Sequence, residues 1–178
     1  MVFKVKVYTN SSFKDKRGYY WTSWKKNLIK NLEFKHDKFS LSKKNVLRGL
    51  HGDKKTWKLI SCPYGKFFLV VVNCVRGSKD YLKWKSYILS HKNGMRVLVP
   101  PNYANGHYCL SKECLFHYKL AYKGSYADVD QQFSIRWDDP KLNIKWPARK
   151  GRRLNKAKTT YTYFEPILSK RDKNQKDI

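Results

Sequence analysis

The chain has 178 residues, 41% hydrophobic and 16% aromatic, enough apolar material for a full core and too much for a disordered chain. Its 39 Lys and Arg against 13 Asp and Glu give a formal charge of +26, a field that attracts anions and says nothing of fold. No apolar run nears the roughly 18 residues needed to span a bilayer, no signal-like stretch opens the chain, and Cys62, Cys74, Cys109 and Cys114 lack zinc-ribbon spacing, so reduced thiols in a cytoplasmic protein are expected.

Residues 2–7 alternate apolar side chains with lysine, the period-2 signature of an edge strand. A turn is expected over residues 14–18, followed by the aromatic run Tyr19-Tyr20-Trp21. Residues 25–32 carry the one modest helical pattern, and residues 34–42 read as a polar, aromatic lead-in. Residues 67–72, FFLVVV, suit a strand buried on both faces. Strands are expected at 84–90 and 96–99, around a Lys92-Asn93-Gly94 turn, and again at 108–109 and 115–121. Short strands recurring between Gly, Asn and Pro indicate an all-β fold, a jelly-roll sandwich or barrel with short helices, formed as one domain over residues 1–178. The basic run 148–158 reads as a solvated loop, with a docking surface for a polyanion as the sharper alternative. Residues 159–164 read as a strand and residues 170–178 as a frayed tail, flexible above all at 173–178.

Chemistry concentrates in residues 45–60, where Arg48, His51, Asp53 and Lys58 stand among Val46, Leu47, Leu50, Trp57, Leu59 and Ile60. In a regular strand Arg48 and His51 point to opposite faces. A bulge or bend at Gly49 would bring both to one pocket, and a turn at Gly52-Asp53 would let Lys58 return alongside. A base with two fixed cations suits the making and holding of an anion; a surface hairpin with ordinary charges is the plainer alternative. His36, His51, His91, His107 and His117 include no His-x-His pair with a following glutamate, so no metal site is expected.

Several blocks fall in a telling order: Asp15 to Trp21, VLRGLH at 46–51, Lys58-Leu59, then Arg76, Ser78, Trp84, Leu89-Ser90, Asn93 and Pro100. Leu110-Ser111, Tyr118-Lys119, WDDPKLNIKWP at 137–147 and Leu168 to Asp172 complete the series. In this order they resemble the dTDP-4-dehydrorhamnose 3,5-epimerase family, cupin-fold epimerases of nucleotide sugars. The chain departs from that pattern in the compressed GDKKTW at 52–57, in Thr22 where the family has a glutamate, and in Asn105 where its AHGF motif has histidine. Added residues between Tyr118 and Trp137 leave Tyr122 and Tyr126 as rivals for a second pocket tyrosine. The wording HDKF with NVLRGLHGD is similar to relatives acting on GDP-linked 4-keto heptoses.

The resemblance implies a cofactor-independent epimerase in polysaccharide precursor synthesis, inverting C3 and C5 of a nucleotide-diphosphate-linked 4-keto sugar, 6-deoxy or heptose. A C3-only or C5-only enzyme is the near alternative, and a basic nucleic-acid-binding β-barrel the distant one. The 4-keto group acidifies the neighbouring C–H bonds, so a base, an enolate stabiliser and an acid suffice, without metal or redox cofactor. By resemblance His51 is the base, paired with Asp172; Lys58 and Arg48 face the enolate oxygen; Tyr118 is the acid. Arg17 would hold the diphosphate, Tyr19 would stack on the base or line the core, and Asn105 and His107 would line the substrate site. A homodimer exchanging N-terminal strands is implied, with no membrane partner and no nucleic acid.

Overall fold

The computed structural model of the protein describes residues 3–9, 11–147, 151–154, 160–163 and 166–175. Its strands are β1 (Lys6–Tyr8), β2 (Ser12–Asp15), β3 (Gly18–Trp21), β4 (Phe34–Lys43), β5 (Leu47–Gly52), β6 (Trp57–Tyr64) and β7 (Lys66–Asn73). They continue as β8 (Trp84–Ser90), β9 (Arg96–Val99), β10 (Tyr103–Cys109), β11 (Glu113–Ala121), β12 (Phe133–Ser134), β13 (Gly151–Leu154) and β14 (Thr160–Tyr163). A single turn of α-helix, α1 (Lys170–Lys173), follows, and two 3-10 turns lie at Lys26–Leu28 and Val129–Gln131.

Two five-stranded antiparallel sheets carry the fold: β1-β9-β6-β11-β4 and β12-β5-β10-β7-β8. Their facing sides enclose Ile60, Cys62, Val97, Val99 and Phe116 from the first sheet, against Phe67, Leu69 and Val71 from the second. The outer face of the second sheet is covered as well, because Val70, Val72, Leu50 and Ala104 pack under Ile135 and Leu142. That double cover explains why β7 is apolar without alternation. A smaller cluster of Ile29, Leu59 and Leu98 covers the outside of the first sheet. This is the jelly-roll sandwich expected. All four cysteines are free, and among the described residues no helix is long and apolar enough to cross a membrane.

β7, β8 and β9 lie where the apolar pattern put them. Residues 34–42 do not merely lead in: they belong to β4, a ten-residue edge strand. Its inward side chains are polar, Ser40 lining a cavity and Ser42 bonding Arg48 and His107, while the apolar Phe39 and Leu41 are exposed. The helical pattern at 25–32 shrinks to the turn at Lys26–Leu28, with Leu28 and Ile29 used as cover for the first sheet. Within the basic run expected as a loop, Gly151–Leu154 pairs with Thr160–Tyr163 as a hairpin; the rest of 148–158 lies outside the described residues. The expected tail instead begins as α1, whose Asp172 is buried; residues 176–178 lie outside the described residues.

Candidate active site

Between the sheets the apolar core gives way to polar side chains. Along β6 the residue after Cys62 and Ile60 on the inner face is Lys58, and along β11 Phe116 is followed by Tyr118. On the facing sheet, β10 opposes β5 with Asn105 beside His51 and His107 beside Arg48. One residue of β10, Gly106, therefore faces two of β5, Gly49 and Leu50, a bulge that turns Arg48 and His51 to the same side. Gly49 makes it possible. Its φ is +121°, and a Cβ there would sit 2.5 Å from the Gly106 Cα and 2.8 Å from the Asn105 carbonyl oxygen.

The result is a cavity of about 220 Å³ lined by Arg48, His51, Lys58, Asn105, His107 and Tyr118, closed by Ser40, Phe116, Tyr126 and Gln132. It thus gathers six of the site residues expected from the sequence. A larger hollow of about 850 Å³ lies elsewhere, among Lys6, Lys30, Lys54, Lys123, Trp57 and Tyr122, and holds no histidine to act as a base. Between the rival tyrosines, Tyr126 lines the active cavity, whereas the Tyr122 hydroxyl meets the His36 Nδ1 at 3.1 Å.

Asp172 stands behind His51, its Oδ1 2.8 Å from the His51 Nε2. Burial would raise the Asp172 carboxyl, but the His51 bond and charge, the Ser169 hydroxyl and the Gly49 N–H together hold it below the usual carboxylate range. Ser169 donates to the Asp172 Oδ2 at 2.8 Å and also caps α1. The other ring nitrogen of His51, Nδ1, is 2.9 Å from the Ser134 Oγ.

The Lys58 Nζ lies 3.6 Å from the Asp53 Oδ2, an ion pair longer than a hydrogen bond, and donates to the Asn105 Oδ1 at 3.4 Å. Burial pushes the lysine down, Asp53 pulls it back up, and Arg171 adds a smaller downward push. His107, stacked on Phe116 at 4.4 Å, is driven down to about 3 by burial and by the Arg48 charge, with Asp172 opposing, so at neutral pH it is an uncharged hydrogen-bonding wall. Burial, with Tyr126, raises the Tyr118 phenol while Arg48 lowers it; the outcome is a raised value, so at pH 7 the group carries its proton.

Two expected site residues are not at this cavity. Arg17 sits in the turn of the β2–β3 hairpin with its guanidinium gripping Asp15 (2.6 Å) and 80% of its side chain exposed. Tyr19 stacks on Trp21 in the same hairpin, which pairs with no other strand among the described residues. Conversely, Ser134, Gln132 and Arg171 surround His51 and escaped the sequence reading. Their only written signal was adjacency, Ser134 to the Ile-Arg-Trp run and Arg171 to Asp172.

A jelly-roll sandwich whose polar hollow holds a carboxylate-braced histidine on one sheet, with a buried lysine and a protonated phenol on the other, defines a proton-transferring isomerase of the cupin type. The sequence profile of dTDP-4-dehydrorhamnose 3,5-epimerase matches residues 2–178. The chain is 34% identical over 143 residues to the dTDP-4-dehydrorhamnose 3,5-epimerase of Salmonella typhimurium, covering 76% of each chain. It is 30% identical over 184 residues to that of Methanothermobacter thermautotrophicus, covering all of this chain and 89% of the relative. Among solved structures, the Legionella pneumophila dTDP-6-deoxy-D-glucose-3,5-epimerase in complex with dTDP-4-keto-L-rhamnose superposes with a TM-score of 0.82 at 30% identity, covering 97% of this chain and 87% of that one. The Bacillus anthracis dTDP-4-dehydrorhamnose 3,5-epimerase with TDP and PPi bound gives 0.83 at 27% identity, covering 98% and 94%. The chain belongs to the dTDP-4-dehydrorhamnose 3,5-epimerase family. It is a carbohydrate epimerase acting on a nucleotide-linked 4-keto sugar, and nothing in these comparisons supports a nucleic-acid-binding barrel.

Proposed function

We propose that His51 removes the proton beside the ketone, that Lys58 holds the enolate oxygen, and that Tyr118 returns a proton from the opposite side. The observation that carries this reading is the origin of the two groups: His51 comes from β5 and Tyr118 from β11, on facing sheets, and both line one hollow. A sugar ring between them meets a base on one face and an acid on the other, which is what inversion requires. Asp172 stabilises the imidazolium once the proton has moved. The Lys58 ammonium acts in a water-poor setting, where charge stabilisation contributes more than in solution. Arg48, Asn105 and His107 orient the sugar around its oxygens. Both C3 and C5 flank the same ketone, so one base and one acid serve both after a small rotation of the ring.

The cavity is smaller than the roughly 300–1,000 Å³ of a typical ligand site, so it suits the sugar and leaves the nucleoside diphosphate outside its mouth. The exposed β2–β3 hairpin supplies what is missing. Phe13 and Tyr20 are 58% and 67% exposed, rings that need cover. The protein acts as a homodimer in which this hairpin docks on the second copy and brings Arg17 to the diphosphate and Tyr19 to the base. The sequence resemblance favours a GDP-linked heptose. Free thiols fit a reducing compartment, hence the cytoplasm. The deciding experiment follows deuterium wash-in from D₂O at C3 and C5 by NMR. His51→Asn should abolish wash-in while keeping the fold, and Tyr118→Phe should spare wash-in and impair net inversion. Wild-type exchange in His51→Asn removes the histidine from the reaction.

A further inference from the structure

His51 is held at both ring nitrogens, and both holds trace back to one helical turn. Its Nε2 meets the Asp172 Oδ1 at 2.8 Å. Its Nδ1 meets the Ser134 Oγ at 2.9 Å, and that oxygen accepts a hydrogen bond from the Arg171 Nη2 at 3.2 Å. The same guanidinium lies 3.5 Å from the Gln132 Oε1 and the Val129 carbonyl, which fix it in place. Arg171 and Asp172 are neighbours in α1, and Ser134 is paired with His51 across β12 and β5.

The ends of this chain of bonds have fixed polarity. A guanidinium can only donate, and an ionised carboxylate can only accept. The Asp172 carboxyl is held low, so it is ionised at neutral pH and takes its hydrogen from Nε2. With the ring proton on Nε2 for Asp172, Nδ1 is an acceptor, and the Ser134 hydroxyl, which accepts from Arg171, donates its own hydrogen to it. Every bond then runs one way, from Arg171 through Ser134 and His51 to Asp172. The imidazole is left with its proton on Nε2 and its lone pair on Nδ1.

We propose that Ser134 and Arg171 are positioning residues for the reaction: with Asp172 they hold His51 in the tautomer and ring orientation whose Nδ1 lone pair receives the substrate proton. This rests on His51 as the base. In the free enzyme the serine hydroxyl occupies that lone pair. In the complex the C–H bond takes its place, a single side-chain rotation of the serine clearing the way. The proton then moves from carbon to Nδ1, the C–H electron pair becomes the enolate, and the imidazolium stays bonded to Asp172.

The test uses the full-length protein with ¹⁵N-labelled histidine. In the wild type the His51 Nδ1 should give a pyridine-like signal and Nε2 a pyrrole-like one. Ser134→Ala and Arg171→Met, which leave Asp172 alone to hold the ring, should narrow the separation of the two signals and lower kcat about ten- to a hundredfold with KM little changed. Ser134→Thr, which keeps the hydroxyl, and Arg171→Lys, which keeps a donor-only group, should restore much of the rate. If Ser134→Ala is folded and keeps both the wild-type ¹⁵N separation and the wild-type kcat, the positioning role is wrong. If Ser134→Thr folds as the wild type does and fails to rescue, the hydroxyl is not the agent. His51→Asn separates the two claims: activity there overturns the base itself, whereas an inactive His51→Asn beside a fully active Ser134→Ala overturns only the positioning.

Discussion

Burial lowers the Lys58 ammonium, and Asp53, itself 2% exposed, is the counter-ion that opposes the shift. Because the lysine titrates lower in the folded protein than in the unfolded chain, the unfolded state binds more protons between those two values. Stability therefore rises with pH across that window, below about 10.4. Lys58→Met removes this dependence but strands the aspartate. It should cost about 3 kcal/mol in a urea titration, at the low end for a broken buried pair because Lys55 and Thr56 N–H groups still bond the Asp53 Oδ1. Adding Asp53→Asn should recover most of the loss. Asp172 gives a slope of the same sign at the acid end: its carboxyl titrates lower when folded, so its contribution is complete well above about pH 4 and is lost as pH falls through the folded value. Asp172→Asn should show a shallower acid-side fall in unfolding free energy than the wild type. His51, Lys58, Tyr118 and Asp172 were legible because each stands in an ordered block of sequence. Ser134 and Arg171 were not, since a serine and an arginine acquire their meaning only from the partners folding gives them.

Among the elements, the Gly49 bulge was readable and β4 was not, for related reasons. Two polar residues three apart around a glycine reach one pocket through a bulge or a bend, and the register of β5 on β10 contains the bulge. β4 turns Ser40 and Ser42 inward and leaves Phe39 and Leu41 exposed, so its alternation is inverted relative to a core-facing strand. Gly49→Ala should be severe. A Cβ would press on the backbone of β10 while its residue keeps a left-handed φ, so a loss of about 2–4 kcal/mol in Tm or denaturant measurements is expected. Activity should fall further than stability, because Arg48 and His51 would no longer share a face. α1 was missed because four residues carry no periodicity. Its Ser169 cap and the His51 bond to Asp172 hold it.

Over the whole molecule, the charge of +26 has a kinetic consequence even though the lysines are scattered. A nucleoside diphosphate sugar carries two negative charges, so encounter should be steered by the positive field and screened by salt. Raising ionic strength from ~20 to ~200 mM should lower kcat/KM severalfold and leave kcat almost unchanged. The second copy inferred from the hairpin can be weighed directly by sedimentation, and Phe13→Ser with Tyr20→Ser should shift the protein toward monomer.

The two halves of the proposed chemistry ride on different slabs of one sandwich: the imidazole on one, the phenol on the other. What fixes their separation is the thickness of the apolar filling, set by Phe67, Leu69 and Val97. Thinning that filling far from the substrate, as Leu69→Ala would, leaves each group intact and changes the span between them. Hydrogen removal needs only the near slab, whereas stereochemical turnover needs both, so the epimerase would lose its second step before its first.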